Sequence, residues 1–474
     1  MKSDSSFRNT WHRALRQGCC VLALLVGGSS VASAETLNEA LAEAYAANPT
    51  LNAQRASTRA IDESVPQALS GYRPQIFGNA SAGIQSINAP VSTAAAAGGA
   101  SGRHTDTTYP RGFGATIEQP IFDGFRTKNS VSQAENSVLA ARETLLNTQQ
   151  TILYDGVQAY MNVLRDFAIY DLQRNNVDLL KEELRATNER FNVGEVTRTD
   201  VAQSQSRLEG ARADLSVAEA NLKASRAIYR QVIGSEPTKL VPARPVDNML
   251  PHSLAGATDI GYRQHPAILS ALHAVDAAAY QVKVIQGELY PSLSLEGSID
   301  NSWGGTQTSD RVTTATVLGR LTVPIYQGGQ EYSRVREAKE TLGQRRLEAE
   351  VTRDQVRAAI VSAWGALEGA RSAITASQAQ VKAAKTALDG VREEARVGQR
   401  TTLDVLNAEQ EYLDARVTLI TAQRDRVVAS YAVLQAIGQL TAKNLGLKVV
   451  PYEAQVHYRQ VRNKWIGLQT PDGR

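Results

Sequence analysis

The chain carries the same short motifs twice, at a constant spacing. Each motif recurs 204 positions later: Pro120–Gly124 at Pro324–Gly328, Val193-Gly194 at Val397-Gly398, and Ile233-Gly234 at Ile437-Gly438. A spacing held over about 115 residues indicates that one structural unit has been duplicated. We therefore expect each helix or strand of the first unit to have a counterpart in the second.

Near the start of each unit the spacing is longer. The first unit holds 13 additional residues after Pro74, and the segment Val91–Thr108 is the candidate. This segment is small, polar and rich in glycine, so we predict a mobile loop. The motifs that show the longer spacing of 217 positions are Asn48-Pro49 with His265-Pro266, and Pro74 with Pro291.

The first 34 residues have the pattern of an export signal. Three arginines precede the apolar run Cys19–Val26, and Ala32–Ala34 has the small side chains of a cleavage site. We predict a signal peptide over 1–34 and an exported mature chain from Glu35, with a membrane anchor as the alternative. Both cysteines lie in this segment, so the mature chain has no thiol for a disulfide or a metal.

Charge and hydropathy exclude several classes of protein. The chain has 51 Lys+Arg against 48 Asp+Glu, and its mean hydropathy is −0.29. These values exclude a polytopic helical membrane protein and a protein that binds nucleic acid through bulk positive charge. After residue 34 we find no apolar run that approaches the roughly 20 residues of a spanning helix. A β-barrel stays compatible, because its strands alternate lipid-facing and polar residues.

Residues 292–300 and 315–323 alternate between apolar and polar side chains, which predicts two β-strands. Weaker alternation at 74–87 and 109–122 predicts their counterparts in the first unit. The apolar face fits contact with lipid and the buried face of a soluble hairpin equally well. The side chains that would contact lipid are Leu293, Leu295, Ile299, Val317 and Leu321.

A very long helix follows each strand pair. Segments 127–191 and 331–395 contain no proline, and each would extend on the order of 100 Å as a helix. Helices of that length need coiled-coil packing, and the shorter segments after them show the matching heptad pattern. The remaining predicted helices are 36–70, 199–234, 258–288 and 402–438.

Motifs of enzymes are absent from the sequence. The five histidines after residue 34 are scattered, and no metal-binding motif, P-loop, dinucleotide fingerprint or nucleophile elbow occurs. We therefore expect no catalytic residue, no metal and no cofactor. A carbohydrate-active or peptidoglycan enzyme would need an acidic cleft, which no motif marks.

Four strands cannot close a transmembrane barrel, because the smallest single-chain barrels have eight. An open sheet edge is not viable in lipid. If the strands cross a membrane, several chains must share one barrel. The helices would then continue that barrel as a hollow tube.

The duplicated order of helix, strand pair, long helix and short helix resembles the TolC-type outer-membrane export channels over about 35–440. The paired Pro-Ile-aromatic-x-Gly and Val-Gly turns carry the resemblance, most clearly in the stretch 397–408. It implies a mixed α/β membrane protein, a homotrimer with one twelve-stranded outer-membrane β-barrel to which each chain gives four strands. A coiled-coil α-helical barrel would continue it through the periplasm. The implied domains are a signal peptide 1–34, a first repeat 35–234, an equatorial linker 235–257, a second repeat 258–440 and an equatorial tail 441–474.

The resemblance also implies a function. The protein would be the exit duct of a tripartite system for type I protein secretion or multidrug efflux, in the bacterial outer membrane and extending into the periplasm. Its implied partners are a periplasmic membrane-fusion adaptor, an inner-membrane ABC or RND transporter and outer-membrane lipid, with no nucleic acid. The segment Val91–Thr108 would then be extracellular. The alternative is a periplasmic coiled-coil adaptor or scaffold, although such a protein would normally lack the strand pairs and the whole-chain duplication.

Two turns match the family positions at which the adaptor docks. The competing interpretation is that they only end the long helices, since glycine commonly follows a helix end. The residues of these turns are Val193, Gly194 and Glu195 in the first repeat, and Val397, Gly398 and Gln399 in the second.

Residues just after these turns match the family's periplasmic gate. Asp200 and Asp404 also fit helix-capping patterns with the threonines three residues before them, so capping alone is the competing interpretation. Ala395 stands where the family has a tyrosine, so one link of the gate is expected to be missing. Asn407 stands where the family has a second aspartate, which predicts one carboxylate ring and a weaker block by cations. The implied gate residues are Thr199, Asp200, Arg400, Asp404 and Asn407.

Overall fold

The computed structural model describes residues 35–90, 103–304 and 311–473. The predicted signal peptide lies outside the described residues, as does the central part of the predicted loop, 91–102. Within the described residues, short helices, strands and a pair of long helices follow one another in this order twice, which agrees with the repeated sequence motifs.

The first repeat begins with three helices, continues with four strands and ends with a pair of long helices. These elements are α1 (Leu37–Ala47), α2 (Pro49–Asp62), α3 (Ser64–Leu69), β1 (Gln75–Ala82), β2 (Gln85–Pro90), β3 (Arg103–Thr108), β4 (Arg111–Phe122), α4 (Arg126–Asn192) and α5 (Arg198–Ile233).

The second repeat has two helices, two strands and again a pair of long helices, and a short helix follows in the tail. These elements are α6 (Leu254–Gln264), α7 (Pro266–Gln286), β5 (Ser292–Trp303), β6 (Val312–Thr322), α8 (Gln330–Arg396), α9 (Thr402–Ala436) and α10 (Ala454–Val461).

The prediction of one continuous helix before each strand pair is wrong. The chain leaves the helical conformation at Asn48 and at His265, because each precedes a proline that starts the next helix. The Asn48 side chain accepts hydrogen bonds from the backbone of Thr50 and Leu51. His265 Nδ1 accepts one from the backbone of Ala267 at 3.1 Å. Both breaks are therefore capped helix starts.

The two longest helices, α4 and α8, have 67 residues each and extend about 100 Å. Each packs along the shorter helix that follows it, and α4 also packs against α7 and α9. The main apolar core lies where these helices meet α1, the linker after α5 and the tail. There the buried Tyr160 hydroxyl lies 2.8 Å from the carbonyl of Glu35 and 2.6 Å from that of Val241. This contact ties the linker and the start of the described chain to the middle of α4.

The strands form a four-stranded antiparallel sheet in the order β1-β4-β5-β6. A second pair, β2 and β3, extends the β1–β4 arm beyond this sheet. The prediction of a loop over Val91–Thr108 is wrong for its last six residues, since β3 pairs with β2 from Arg103 to Thr108. Among the described strands, β1 and β6 each have one edge without a partner.

One helical segment, Leu254–Leu289, is apolar and long enough to pass for a membrane-spanning helix by length and composition. The expectation that no stretch after residue 34 approaches such a helix is therefore wrong. The segment consists of α6, α7 and a short final turn, and it is interrupted at His265. Its second part packs against α4 and α8, which places it in the helical part of the molecule.

Candidate functional site

The sheet has one apolar face that continues across its strands. In register, Leu293 lies opposite Leu321, Leu295 opposite Gly319, and Ile299 opposite Ala315. The same face continues through Ile117 of β4, which pairs with Gly297. Leu295 is 46% exposed and Val317 is 78% exposed. The five predicted lipid-facing residues thus share one face, and no described part of the chain covers it fully.

The opposite face of the sheet is polar. Arg320 Nε and Nη2 donate to the two carboxylate oxygens of Glu296, each at 2.8 Å. Glu118 lies directly opposite Glu296 in the register of β4 and β5. A sheet with one apolar and one charged face fits a boundary between lipid and water.

Exposed aromatic side chains mark the end of the sheet that joins the helices. They lie just before β1 and β5, at the end of β4 and just after β6. Aromatic residues of this kind are typical of membrane–water interfaces. These residues are Tyr72, Phe122, Tyr290 and Tyr326.

The turns at the other end of the molecule have matching geometry. Gly194 has φ +80° and Gly398 has φ +79°, the left-handed conformation that ends a helix. Glu195 N donates to Arg190 O and Gln399 N donates to Glu394 O, both at 2.9 Å, as in a Schellman motif. A Cβ at either glycine would meet nothing within 4 Å. Each turn also exposes the valine before its glycine, by 78% and 71%.

Both aspartates of the predicted gate form capping boxes. Thr197 Oγ1 accepts from the backbone of Asp200, and Thr401 Oγ1 from that of Asp404. In return each carboxylate accepts from the backbone N–H and the hydroxyl of its threonine. These hydrogen bonds lower the pKa of both carboxyls. Thr199 lies exposed in the first turn of α5.

The other two residues of the predicted gate have partners that the sequence did not indicate. Arg400 Nε donates to Glu394 at 2.8 Å, and among the described side chains no ion pair within 4 Å joins it to Asp200 or Asp404. Asn407 Oδ1 accepts from Arg207 Nη2 at 2.6 Å, which links α9 to α5. Close to this link, Leu208 of α5 and Leu406 of α9 belong to one buried cluster with α4. The two helical hairpins are thus joined near their tips.

Charged contacts also hold the linker and the tail to the helices. Asp247 of the linker pairs with Arg371 of α8 at 3.1 Å and with Arg426 of α9. In the tail, His457 Nδ1 lies 3.0 Å from the buried carboxylate of Asp62. Among the described residues, no three His, Cys, Asp or Glu side chains are close enough to hold a metal ion.

Comparison with known proteins identifies the family. The profile of the family described as outer membrane efflux protein matches residues 40–235 and 262–439. The chain is 42% identical over 472 residues to outer membrane efflux protein BepC of Brucella suis biovar 1 (strain 1330), covering 98% of this chain and 100% of BepC. It is 25% identical over 436 residues to outer membrane protein TolC of Escherichia coli (strain K12), covering 89% and 86%. The structure of the Campylobacter jejuni CmeC outer membrane channel aligns with a TM-score of 0.73 at 18% identity, covering 90% and 89%.

Fold and comparisons together define an outer-membrane channel that extends into the periplasm, of the type that provides the exit duct of efflux and type I secretion systems. The chain belongs to the outer membrane efflux protein family. The members of this family are channels. The alternative interpretation of the sequence, a periplasmic adaptor or scaffold, is therefore not supported.

Proposed function

We propose that three copies of this chain form one twelve-stranded barrel in the outer membrane, continued by a tunnel of their long helices. The observation that carries this proposal is the apolar sheet face together with the unpaired edges of β1 and β6. Lipid cannot satisfy the backbone groups of an open edge, so each edge strand needs a neighbour from another copy. Four strands are also too few for a barrel of one chain.

A charge on the apolar face tests the barrel. Leu295→Arg should cost roughly 2–4 kcal/mol if the side chain lies near the middle of the membrane, and should lower the yield of heat-resistant trimer on gels. Ser298→Arg is the matched control, because Ser298 is on the polar face of the same strand. A normal yield of trimer from Leu295→Arg would show that this face does not contact lipid.

The β2–β3 arm and the segment between its strands are proposed to lie outside the cell. They are at the end of the sheet opposite to the helices, which in this proposal extend into the periplasm. An epitope inserted near Gly98, which is outside the described residues, should bind antibody on intact cells. Binding only after the outer membrane has been broken would place the arm on the periplasmic side.

The Val193–Glu195 and Val397–Gln399 turns are proposed to receive the tips of a periplasmic membrane-fusion adaptor. Each turn presents an exposed valine, and space is open around both glycines, so a protein partner can approach closely. Gly398→Trp should abolish export and adaptor crosslinking while the trimer still forms. Gly398→Ala carries the same backbone strain without the bulk and should retain both. Equal behaviour of the two variants would contradict docking at this turn.

The residues Thr199, Asp200, Arg400, Asp404 and Asn407 are proposed to close the periplasmic end. Three copies of Asp404 around one axis would attract cations, and Arg400, which pairs with Glu394, also interacts electrostatically with the Asp404 carboxylate. Arg400→Ser should raise the resting conductance in planar bilayers. Asp404→Ala should weaken cation selectivity and divalent block. If Asp404→Ala changes thermal stability but not conduction, its carboxylate is a cap only.

The remaining partners follow from membership of the family. We propose that the channel works with an inner-membrane ABC or RND transporter through the adaptor, and that it exports proteins, drugs or both. Crosslinks from a photoreactive residue at Val397 should identify the adaptor, and copurification should then identify the transporter. The absence of both from wild-type complexes would contradict a tripartite assembly.

A further inference from the structure

Three residues lie side by side at the end of the apolar sheet face that is farthest from the helices. Arg111 of β4 pairs in register with Trp303 of β5. Arg311 lies one residue before the Val312 that pairs with Ser302, so it is next to Trp303 on the other side. Trp303 has the same parity as Leu295 and Ile299, so these residues belong to the apolar face. We call Arg111, Trp303 and Arg311 the rim row.

Two side chains of the rim row, those of Trp303 and Arg311, are held in place by neighbouring residues. The Phe113 ring lies 5.5 Å from the Trp303 ring, and the Arg311 guanidinium lies 5.7 Å from it. Arg311 Nε and Nη2 donate to Asn301 Oδ1 at 3.3 and 3.1 Å. Asn301 is only 8% exposed, so it is a firm anchor for the guanidinium.

The two arginines bring positive charge to this rim. Across residues 35–90, 103–304 and 311–473, neither is within 4 Å of a carboxylate, unlike Arg320, which pairs with Glu296 on the polar face. Their Cα atoms are two strand spacings apart, about 10 Å, so their side chains can reach one ligand. Guanidinium groups bind phosphate through paired hydrogen bonds.

The rim row also lies at the depth of lipid headgroups. Trp303 lies ten positions after Leu293, which is about 33 Å along the strand. At a tilt of about 45° this becomes a height of about 23 Å, close to the apolar band of about 25 Å in outer-membrane barrels. Tyr290 therefore marks one interface and the rim row the other. Because the helices begin at the Tyr290 end, the rim row belongs to the outer leaflet.

We propose that the rim row binds the phosphate groups of an anionic glycolipid in the outer leaflet of the outer membrane. Trp303 lies at the membrane–water interface, and Arg111 and Arg311, on either side of Trp303, both contact the phosphate. This proposal rests on the trimeric barrel described above, in which three such rows would surround the channel. We assign the phosphate to a lipid and not to free inorganic phosphate, because the arginines adjoin the face that is proposed to contact lipid.

The test measures the thermal midpoint of trimer dissociation in neutral detergent. A bisphosphorylated glycolipid is titrated in one arm, its dephosphorylated form in a second and inorganic phosphate in a third. Arg111→Gln should raise the half-saturating concentration of the phosphorylated lipid about fivefold, and the double variant with Arg311→Gln more. Arg111 makes none of the contacts that hold Arg311, so its variant should fold normally. Arg320→Gln, on the other face, should respond like the wild type.

The outcomes separate the lipid site from the barrel. Equal shifts with the two lipids, or a wild-type response of the double variant, would overturn the rim row as a phosphate site. A shift reproduced by inorganic phosphate alone would overturn the lipid as ligand. If Leu295→Arg assembles normally, the barrel itself is wrong. If Leu295→Arg fails and the double variant still responds like the wild type, only the lipid site is wrong.

Discussion

We expect His265 to make the stability of this chain sensitive to acid, and Asn48, the equivalent residue of the first repeat, shows how to remove this contribution. His265 and Asn48 occupy equivalent positions before a proline, and both cap the helix that follows. The cap at His265 depends on an unprotonated Nδ1, which accepts from the backbone of Ala267. Burial lowers the pKa of His265 to about 4. The change His265→Asn would install the cap of the first repeat, which does not titrate.

The expected loss of stability on acidification follows from the difference between the pKa of His265 in the folded and in the unfolded chain. The unfolded chain binds the proton near pH 6.5 and the folded chain near pH 4. The contribution of His265 is therefore complete above pH 6.5 and falls by about 1.4 kcal/mol per pH unit down to pH 4. Between pH 7.5 and 4.5 the wild type should lose about 2.5 kcal/mol through this group. His265→Asn should not lose it.

Guanidinium unfolding followed by helical circular dichroism at both pH values measures this difference. Other groups titrate equally in wild type and variant, so the quantity of interest is the difference between their acid-induced losses. His252→Asn changes an exposed histidine of the linker and should behave like the wild type. If His265→Asn loses as much stability as the wild type on acidification, the cap at His265 is not responsible for acid sensitivity.

Three further changes test other contacts. Gly438→Ala should lower the thermal midpoint of unfolding more than Gly234→Ala does. A Cβ at Gly438 would lie 2.8 Å from His265 Cα, whereas a Cβ at Gly234 would lie 3.7 Å from its nearest neighbour. The positive φ alone is expected to cost about 1 kcal/mol in each variant. Asp62→Asn should release the tail to trypsin, because it removes the buried carboxylate beside His457 and Arg142 at a cost of about 3 kcal/mol, whereas Asp472→Asn in an exposed pair should not. Arg207→Ala should increase proteolysis at the helix tips, and Arg212→Ala, which faces only its own helix, should not.

The long helices could be predicted from the sequence to within one or two residues of their ends. Segment 127–191 is Arg126–Asn192 in the structure, and 331–395 is Gln330–Arg396. Their ends are local events, because a glycine in the left-handed conformation stops the helix and a Thr-x-x-Asp box starts the next one. Local signals of this kind need no knowledge of tertiary contacts. The equivalent motif in the other repeat then predicts each helix end a second time.

The strand β3 was missed because its sequence carries no period. Residues 103–108 are polar throughout, so neither face shows the alternation that reveals a half-buried strand. It forms by pairing with β2. These two strands continue β1 and β4, which are themselves paired with each other. A strand that has water on both sides is specified by its neighbour and not by its own pattern.

The link between Arg207 and Asn407 was missed for a different reason. The repeat relates positions 204 apart, whereas these residues are 200 apart. The contact thus joins positions that are not equivalent, displaced by about one helical turn. Duplication predicts which elements recur, but the way in which two copies pack is a tertiary property. The partner of Asn407, a residue of the predicted gate, therefore could not be identified from the repeat.

The capping role of Asp404 is compatible with its proposed role in the gate and supports that proposal. Both capping hydrogen bonds from Thr401 end on Oδ2, so the other carboxylate oxygen keeps its capacity to bind a cation. Three carboxylates around one axis repel each other, which raises their pKa and favours the neutral form. The hydrogen bonds from Thr401 act in the opposite direction and lower the pKa of Asp404. The cap would therefore help to keep the proposed ring ionised near neutral pH. Thr401→Val retains the backbone N–H, which makes the larger contribution, and loses the hydroxyl, so it should weaken cation block in part even though Thr401 itself carries no charge.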